Sequence, residues 1–144
     1  MFGLTVSEAA ALCGGSVSNL SACVDGELTG LTVDSRSASR GDLFVAYRGA
    51  KTDGHLYIAS AFSNGASCAL AEYVPDGVTG PVIVCEEVQA ALEKLMAAFR
   101  SKVSIPVVGV TGSVGKTTAK EMVAAVLSQR FRVHKTAGNK NNTI

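Results

Sequence analysis

The sequence predicts an α/β protein, a small N-terminal α/β domain followed by the first βαβ unit of a phosphate-loop (P-loop) domain. Three observations predict it. Short apolar runs alternate with stretches of helical periodicity, the pattern of a largely parallel sheet with helices on its faces. A Pro/Gly-rich stretch, Pro75-Asp76-Gly77-Val78-Thr79-Gly80-Pro81, breaks the chain near its middle. Beyond it, the β-branched run Val107-Val108-Gly109-Val110-Thr111 passes through a Gly-rich turn into a helix.

Each element follows in order. Thr5-Val6-Ser7-Glu8 has capping-box spacing, in which a hydroxyl and a carboxylate satisfy each other's free backbone amides, and Gly14-Gly15 ends the short helix. Leu28 to Asp34 reads as a strand entering the polar loop Ser35 to Arg40, and Asp42 to Tyr47 as a second strand closed by Arg48-Gly49. From His55, the residues Leu56, Ile58, Ala59, Ala61 and Phe62 suit a helix ending at Asn64-Gly65, before the apolar strand Cys68 to Ala71. Val82 to Cys85 is the next strand, and a domain boundary is expected close after it.

Val88, Ala91, Leu92, Leu95, Met96 and Phe99 recur at helical spacing. Glu87 to Lys102 is therefore an amphipathic helix with a core-facing stripe, expected to lead into the second domain. Pro106 starts the strand through Thr111, a helix runs from Lys116 to Gln129, and Arg132 to Lys135 is the last strand. There is no internal repeat. One βαβ unit cannot bury both faces of a parallel sheet, so the chain is expected to be an N-terminal fragment of a longer protein.

Composition narrows the function classes. With 47% apolar and 17% charged residues and a formal charge of +1, the chain is a globular protein rather than a disordered tail, and it lacks the clustered basic excess of a nucleic-acid binder. Its apolar runs fall far short of the ~20 residues needed to cross a bilayer, so no membrane insertion is expected. The start Met1-Phe2-Gly3-Leu4-Thr5 lacks the positive start and long apolar stretch of a secretory signal, which predicts a cytoplasmic protein with reduced thiols. Cys13, Cys23, Cys68 and Cys85 are widely spaced without a C-x-x-C pair and read as small buried hydrophobes rather than a zinc site.

Gly112-Ser113-Val114-Gly115-Lys116-Thr117-Thr118 sits where a buried strand turns into a helix, the context that distinguishes a phosphate loop from a chance glycine cluster. Small residues let backbone amides converge on an anion, and the helix adds its unpaired amides and positive dipole end. Lys116 is placed to reach the β and γ phosphates of a nucleoside triphosphate. Thr117 offers a hydroxyl to Mg²⁺, which takes few protein ligands beside phosphate oxygens and water. Thr118 is expected to support the loop amides. The common pattern has glycine six residues before the lysine; here that position is Val110, and the compact T-G-x-x-G-K-T-T form remains. The loop alone does not separate kinases, ATPases, GTPases and ligases.

Two further segments accompany that loop. One is Asp34-Ser35-Arg36 with Gly41-Asp42-Leu43-Phe44-Val45-Ala46, Gly49 and Asp53-Gly54-His55; the other is Lys135 to Ile144, with Lys120-Glu121-Met122 in the loop helix. Together they make the chain resemble the Mur ligases of bacterial peptidoglycan synthesis over nearly its whole length. Within that family it is similar to the branch that adds D-alanyl-D-alanine to UDP-N-acetylmuramoyl-tripeptide. The sister branch, which adds a diamino acid, typically carries T-G-T-N-G-K-T-T, where Ser113-Val114 stands here.

The resemblance implies a UDP-muramoyl-peptide-binding domain over 1–86 and the start of an ATP-binding central domain over 87–144. It implies that ATP phosphorylates the substrate's terminal carboxylate and that the dipeptide amine attacks the acyl phosphate, with Lys116 as catalytic residue stabilising the moving phosphoryl group. Ser35 and Arg36 would offer a hydroxyl and a guanidinium to the diphosphate, with Asp34 contacting substrate or orienting the loop. Asn139 and Asn142 would contact substrate. Plainer readings stand beside these: Asp34, Ser35 and Asp53-Gly54-His55 as turn formers, Arg36 as a surface charge, and the asparagines as an Asx-turn cluster. The chain alone is not expected to turn over, and a monomer is expected. The competing readings are the diamino-acid ligase and a non-catalytic nucleotide-binding module.

Overall fold

The structure is a computed structural model that describes residues 3–19, 26–49 and 52–137. Asn139 and Asn142 lie outside the described residues. The chain divides into two compact units, Met1–Ser104 and Ile105–Ile144.

In the first unit, strand β1 (Leu4–Thr5) leads into helix α1 (Val6–Cys13), followed by β2 (Ser16–Ser18), β3 (Glu27–Leu28), β4 (Gly30–Thr32), β5 (Asp42–Val45), helix α2 (Ile58–Asn64), β6 (Cys68–Ala71), β7 (Val82–Val84) and helix α3 (Val88–Lys102). The main sheet has the order β2-β7-β6-β5-β4. The four strands from β4 to β7 run parallel, and β2 closes one edge antiparallel to β7. A separate ribbon pairs β1 with β3.

The expected capping box starts α1: the Glu8 amide donates to Thr5 Oγ1 at 3.2 Å, and the Thr5 amide donates to Glu8 Oε2 at 2.9 Å. Gly14, at φ 68°, ends it in the left-handed conformation that glycine adopts without a Cβ penalty.

Side chains of the central strands alternate between two cores with the period of two that a strand requires. Leu43, Val45, Cys68, Leu70, Ile83 and Cys85 face one side, where they meet α1 through Val6, Ala9, Ala10 and Cys13, and α3 through Val88, Ala91, Leu92 and Leu95. Phe44, Ala46, Ala69, Ala71 and Val82 face the other, against Ile58 and Ala61 of α2. The alanines keep that second interface thin.

The expected boundary after residue 86 moves to Ser104, because α3 belongs to the first unit. Burying Val88, Leu92 and Leu95 gains roughly 1.5–3 kcal/mol each, and α1 offers the apolar surface that receives them. A stripe read from sequence shows that a helix has an apolar face but not which neighbour covers it.

The second unit contains helix α4 (Lys116–Leu127), whose buried residue is Ala124. The strands expected at 106–111 and 132–135 carry no ladder among the described residues. Their β-branched composition suits strands, but a strand exists only when a neighbour takes its backbone donors and acceptors, and none does here. Val107, Val108, Val126 and Phe131 are accordingly exposed.

Candidate functional site

In the first unit the chemistry-bearing residues gather at the carboxyl ends of the parallel strands, the edge where open α/β sheets bind ligands. Asp34 follows β4, Arg48 and Asp53 follow β5, and Glu72 and Tyr73 follow β6.

Asp34 caps a single 3-10 turn, Ser35–Ser37, by accepting from the Arg36 amide at 3.0 Å. The Arg36 guanidinium folds back onto the same carboxylate, Nε on Oδ1 at 2.9 Å and Nη2 on Oδ2 at 2.7 Å. This fork, followed by the amide, holds the Asp34 carboxyl down to about 2. Thr32 and Ser37 tighten the turn: the Asp34 amide donates to Thr32 Oγ1 at 3.1 Å, and Ser37 Oγ donates to the Asp34 carbonyl at 2.9 Å. The turn buries Ser35, whose carbonyl accepts from Asn64 Nδ2 at 3.0 Å, and leaves the Arg36 side chain 85% exposed. Arg36 thus stands at the rim with its direction set by Asp34.

Asp53 caps a second 3-10 turn, Gly54–Tyr57, by accepting from the His55 amide at 3.0 Å. His55 Nδ1 lies 2.6 Å from the same Oδ1, and the Glu72 amide donates to Nε2 at 3.0 Å. An N–H aimed at Nε2 requires a lone pair there, so the ring is the neutral tautomer that donates from Nδ1 to Asp53. Tyr73 stacks on the ring with centroids 4.2 Å apart. Arg48 Nε and the Tyr73 hydroxyl donate to Asp53 Oδ2 at 3.3 and 3.5 Å. Asp53 is also held down to about 2, chiefly by the His55 amide and then by the ring.

Gly54 is required at this turn: a Cβ there would lie 2.7 Å from both the backbone nitrogen and oxygen of Tyr47. Asp53-Gly54-His55 therefore behaves as its turn reading predicts, and the buried His55 ties the ends of β5 and β6 together. The sequence alone assigned no site role to Arg48, Asn64, Glu72 or Tyr73. Glu72 and Tyr73 directly follow a recognised strand, so the carboxyl-edge rule alone could have marked them.

In the second unit, Gly115 at φ 78° forms the αL entry to α4, which has no side-chain cap, and Gly112 sits at φ 151°. The Cβ of another residue at Gly115 would meet nothing, so backbone conformation rather than space selects glycine there. Lys116 Nζ donates back to the Gly112 carbonyl at 2.7 Å, spanning the mouth of the loop. Ser113, Val114, Thr117 and Thr118 are exposed around it. Lys120 donates to the Thr136 carbonyl at 2.7 Å, and Glu121 pairs with Lys135. Among the described residues no three His, Cys, Asp or Glu side chains cluster to hold a metal, and no helix is long and apolar enough to cross a membrane.

Known proteins resemble the chain in sequence and in fold. Residues 27–134 match the family described as Mur ligase family, catalytic domain. The chain is 44% identical over 131 residues to the UDP-N-acetylmuramoyl-tripeptide--D-alanyl-D-alanine ligase of Synechocystis sp., covering 90% of this chain and 28% of that protein. The crystal structure of MurF from Acinetobacter baumannii superposes with a TM-score of 0.83 at 30% identity, covering 97% of this chain and 31% of that one. MurF ligase from Thermotoga maritima, solved in complex with ADP, gives a TM-score of 0.69 at 37% identity, covering 79% of this chain and 26% of that one. The chain thus spans under a third of the length of these relatives.

Proposed function

This chain belongs to the Mur ligase family, and from that premise we propose that it supplies the substrate-recognition domain and phosphate loop of an ATP-dependent amide ligase. The reaction joins D-alanyl-D-alanine to UDP-N-acetylmuramoyl-tripeptide through an acyl phosphate. The observation that carries the reading is the Gly112 to Thr118 turn at the uncapped start of α4, with Lys116 across its mouth. The Synechocystis relative's name supplies the substrates.

In this reading an incoming triphosphate takes Lys116 from the Gly112 carbonyl, a neutral acceptor, because charged phosphate oxygens make the stronger bond. Gly112, Ser113, Val114 and Gly115 contribute backbone to the cradle, and the dipole end of α4 adds to it. Thr117 offers one hydroxyl to Mg²⁺, which suits a cation that fills its remaining positions with phosphate oxygens and water; Thr118 supports the loop. When bound, Mg²⁺ neutralises developing charge on the transferred group.

The first unit would receive the uridine diphosphate end at its carboxyl edge. Asp34 orients Arg36, whose outer N–H groups point away from the fork and suit diphosphate oxygens. Ser35 is buried, so its part is to shape the turn through Asn64. Asn139 and Asn142 remain proposed substrate contacts on sequence grounds.

Titration of ATP·Mg into the chain and its Lys116→Ala variant tests the loop, and equal binding by both would remove Lys116 from its role. Assaying the protein that carries these residues with D-alanyl-D-alanine and with a diamino acid tests the substrate. Amide formation with the diamino acid alone would assign the sister reaction.

A further inference from the structure

A second layer of residues stands behind the phosphate loop. Lys120 lies one helical turn after Lys116, so the two share a face of α4. Lys120 Nζ donates to the Thr136 carbonyl at 2.7 Å and lies 3.5 Å from Glu121 Oε1, while the other oxygen of Glu121 takes Lys135 Nζ. Two adjacent residues of α4 thus grip two adjacent residues of the returning segment. They do so across sequence separations of 16 and 14. Segment 132–137 has no ladder to fix its register, so side-chain contacts of this kind set where it lies on the helix.

We propose that Lys120 and Glu121 are positioning residues that clip Lys135–Thr136 onto the helix of the phosphate loop, and that this clip sets how tightly the loop holds a nucleoside triphosphate. The proposal rests on the nucleotide-binding reading above. Glu121 sits between two cations and is held below its usual carboxylate range, first by Lys135 and then by Lys120. It also offsets the charge of Lys120 beside Lys116. Removing it frees the returning segment and leaves Lys120, one turn beyond Lys116, with one anchor fewer.

An isolated exposed ion pair contributes little to stability. The clip is therefore expected to be visible in ligand affinity rather than in unfolding.

The test is a double-mutant cycle on the full chain, read by ATP·Mg titration with the unfolding transition recorded for each variant. Glu121→Gln and Lys135→Gln are each expected to weaken ATP·Mg about threefold to tenfold, and the double variant no more than the stronger single one. The charge-swapped pair, Glu121→Lys with Lys135→Glu, is expected to recover most of the loss, which a merely disrupted surface would not do. Losses that add fully, or unchanged affinity in both single variants, would overturn the clip. Lys116→Ala separates the two levels: if it abolishes binding while the clip variants bind normally, the loop reading survives and the clip falls. If the unaltered chain binds no ATP·Mg, both fall.

Discussion

The two units show opposite relations between chemistry and packing. In the first, the sheet is covered on both faces, and its polar residues at the carboxyl edge are locked by hydrogen bonds into a shaped rim. In the second, the proposed phosphate loop enters α4 through Gly115 in the left-handed conformation, yet α4 buries little and the flanking segments form no ladder among the described residues. The difference teaches that a loop of this kind is encoded locally. Its glycines, helix start and lysine lie within seven consecutive residues, whereas a sheet needs partners far away in sequence.

The largest expected contrast is in core truncation. Ile83 is fully buried in the first unit, and Val126 of α4 is 72% exposed. Ile83→Ala is expected to cost about 2–5 kcal/mol, and Val126→Ala to stay within about 0.5 kcal/mol. Urea unfolding followed by circular dichroism measures both. Equal costs would mean that α4 is packed as tightly as the sheet, and the contrast between the units would collapse.

The same contrast explains what was legible in the sequence. The strand Cys68–Ala71 has its predicted limits because a central parallel strand is apolar on both faces and bounded by turns. The capping box of α1 was equally plain, since all its partners lie within four residues. β2 went unread: Ser16-Val17-Ser18 has a single apolar residue, and it becomes a strand only because β7 accepts it. The preceding Gly15 allows that approach, since a Cβ there would lie 2.5 Å from the Val84 carbonyl oxygen.

The site follows the same rule. The spacing of Gly112, Gly115 and Lys116 could be read directly, as could the Asp34–Arg36 turn. The meeting of His55 with Glu72 and Tyr73 could not, because it depends on β5 and β6 being neighbours.

His55 offers a sharper test of how the rim is locked. His55→Phe keeps an aromatic ring beside Tyr73 but leaves the half-buried Glu72 amide without its acceptor and Asp53 without one donor. The expected loss is about 1–3 kcal/mol in the first unit, measured by the same unfolding experiment. A change below about 0.5 kcal/mol would show that the ring acts by shape alone.

A smaller effect concerns acid. The carboxyls of Asp34 and Asp53 are lowered from 3.8 to about 2 in the folded chain. A group with a depressed folded pKa contributes stability above its unfolded pKa and loses it as pH falls through the folded value. Their contribution is therefore complete above the unfolded value and disappears toward about pH 2. Asp53→Asn is expected to flatten the acid limb of the stability curve in that window and leave its slope at neutral pH unchanged. An unaltered acid limb would show that Asp53 has the same affinity for protons folded and unfolded.

The smallest stability effect is expected at Arg36, where it separates a structural role from a recognition role. Its side chain is 85% exposed and its fork with Asp34 is open to water, so Arg36→Ala is expected to leave the unfolding transition unmoved. The turn itself persists, because the amide of residue 36 still donates to Asp34 and Ser37 still donates to the Asp34 carbonyl. The diphosphate contact proposed for Arg36 is a different matter, because its hydrogen bonds to a charged ligand would form only in the complex. UDP binding to the chain is expected to weaken about tenfold in Arg36→Ala and less in Arg36→Lys, which keeps the charge but loses the planar fork. Unchanged UDP affinity in Arg36→Ala would make the fork a surface feature of the turn and move the search for the diphosphate contact to Arg48, the other arginine on the carboxyl edge.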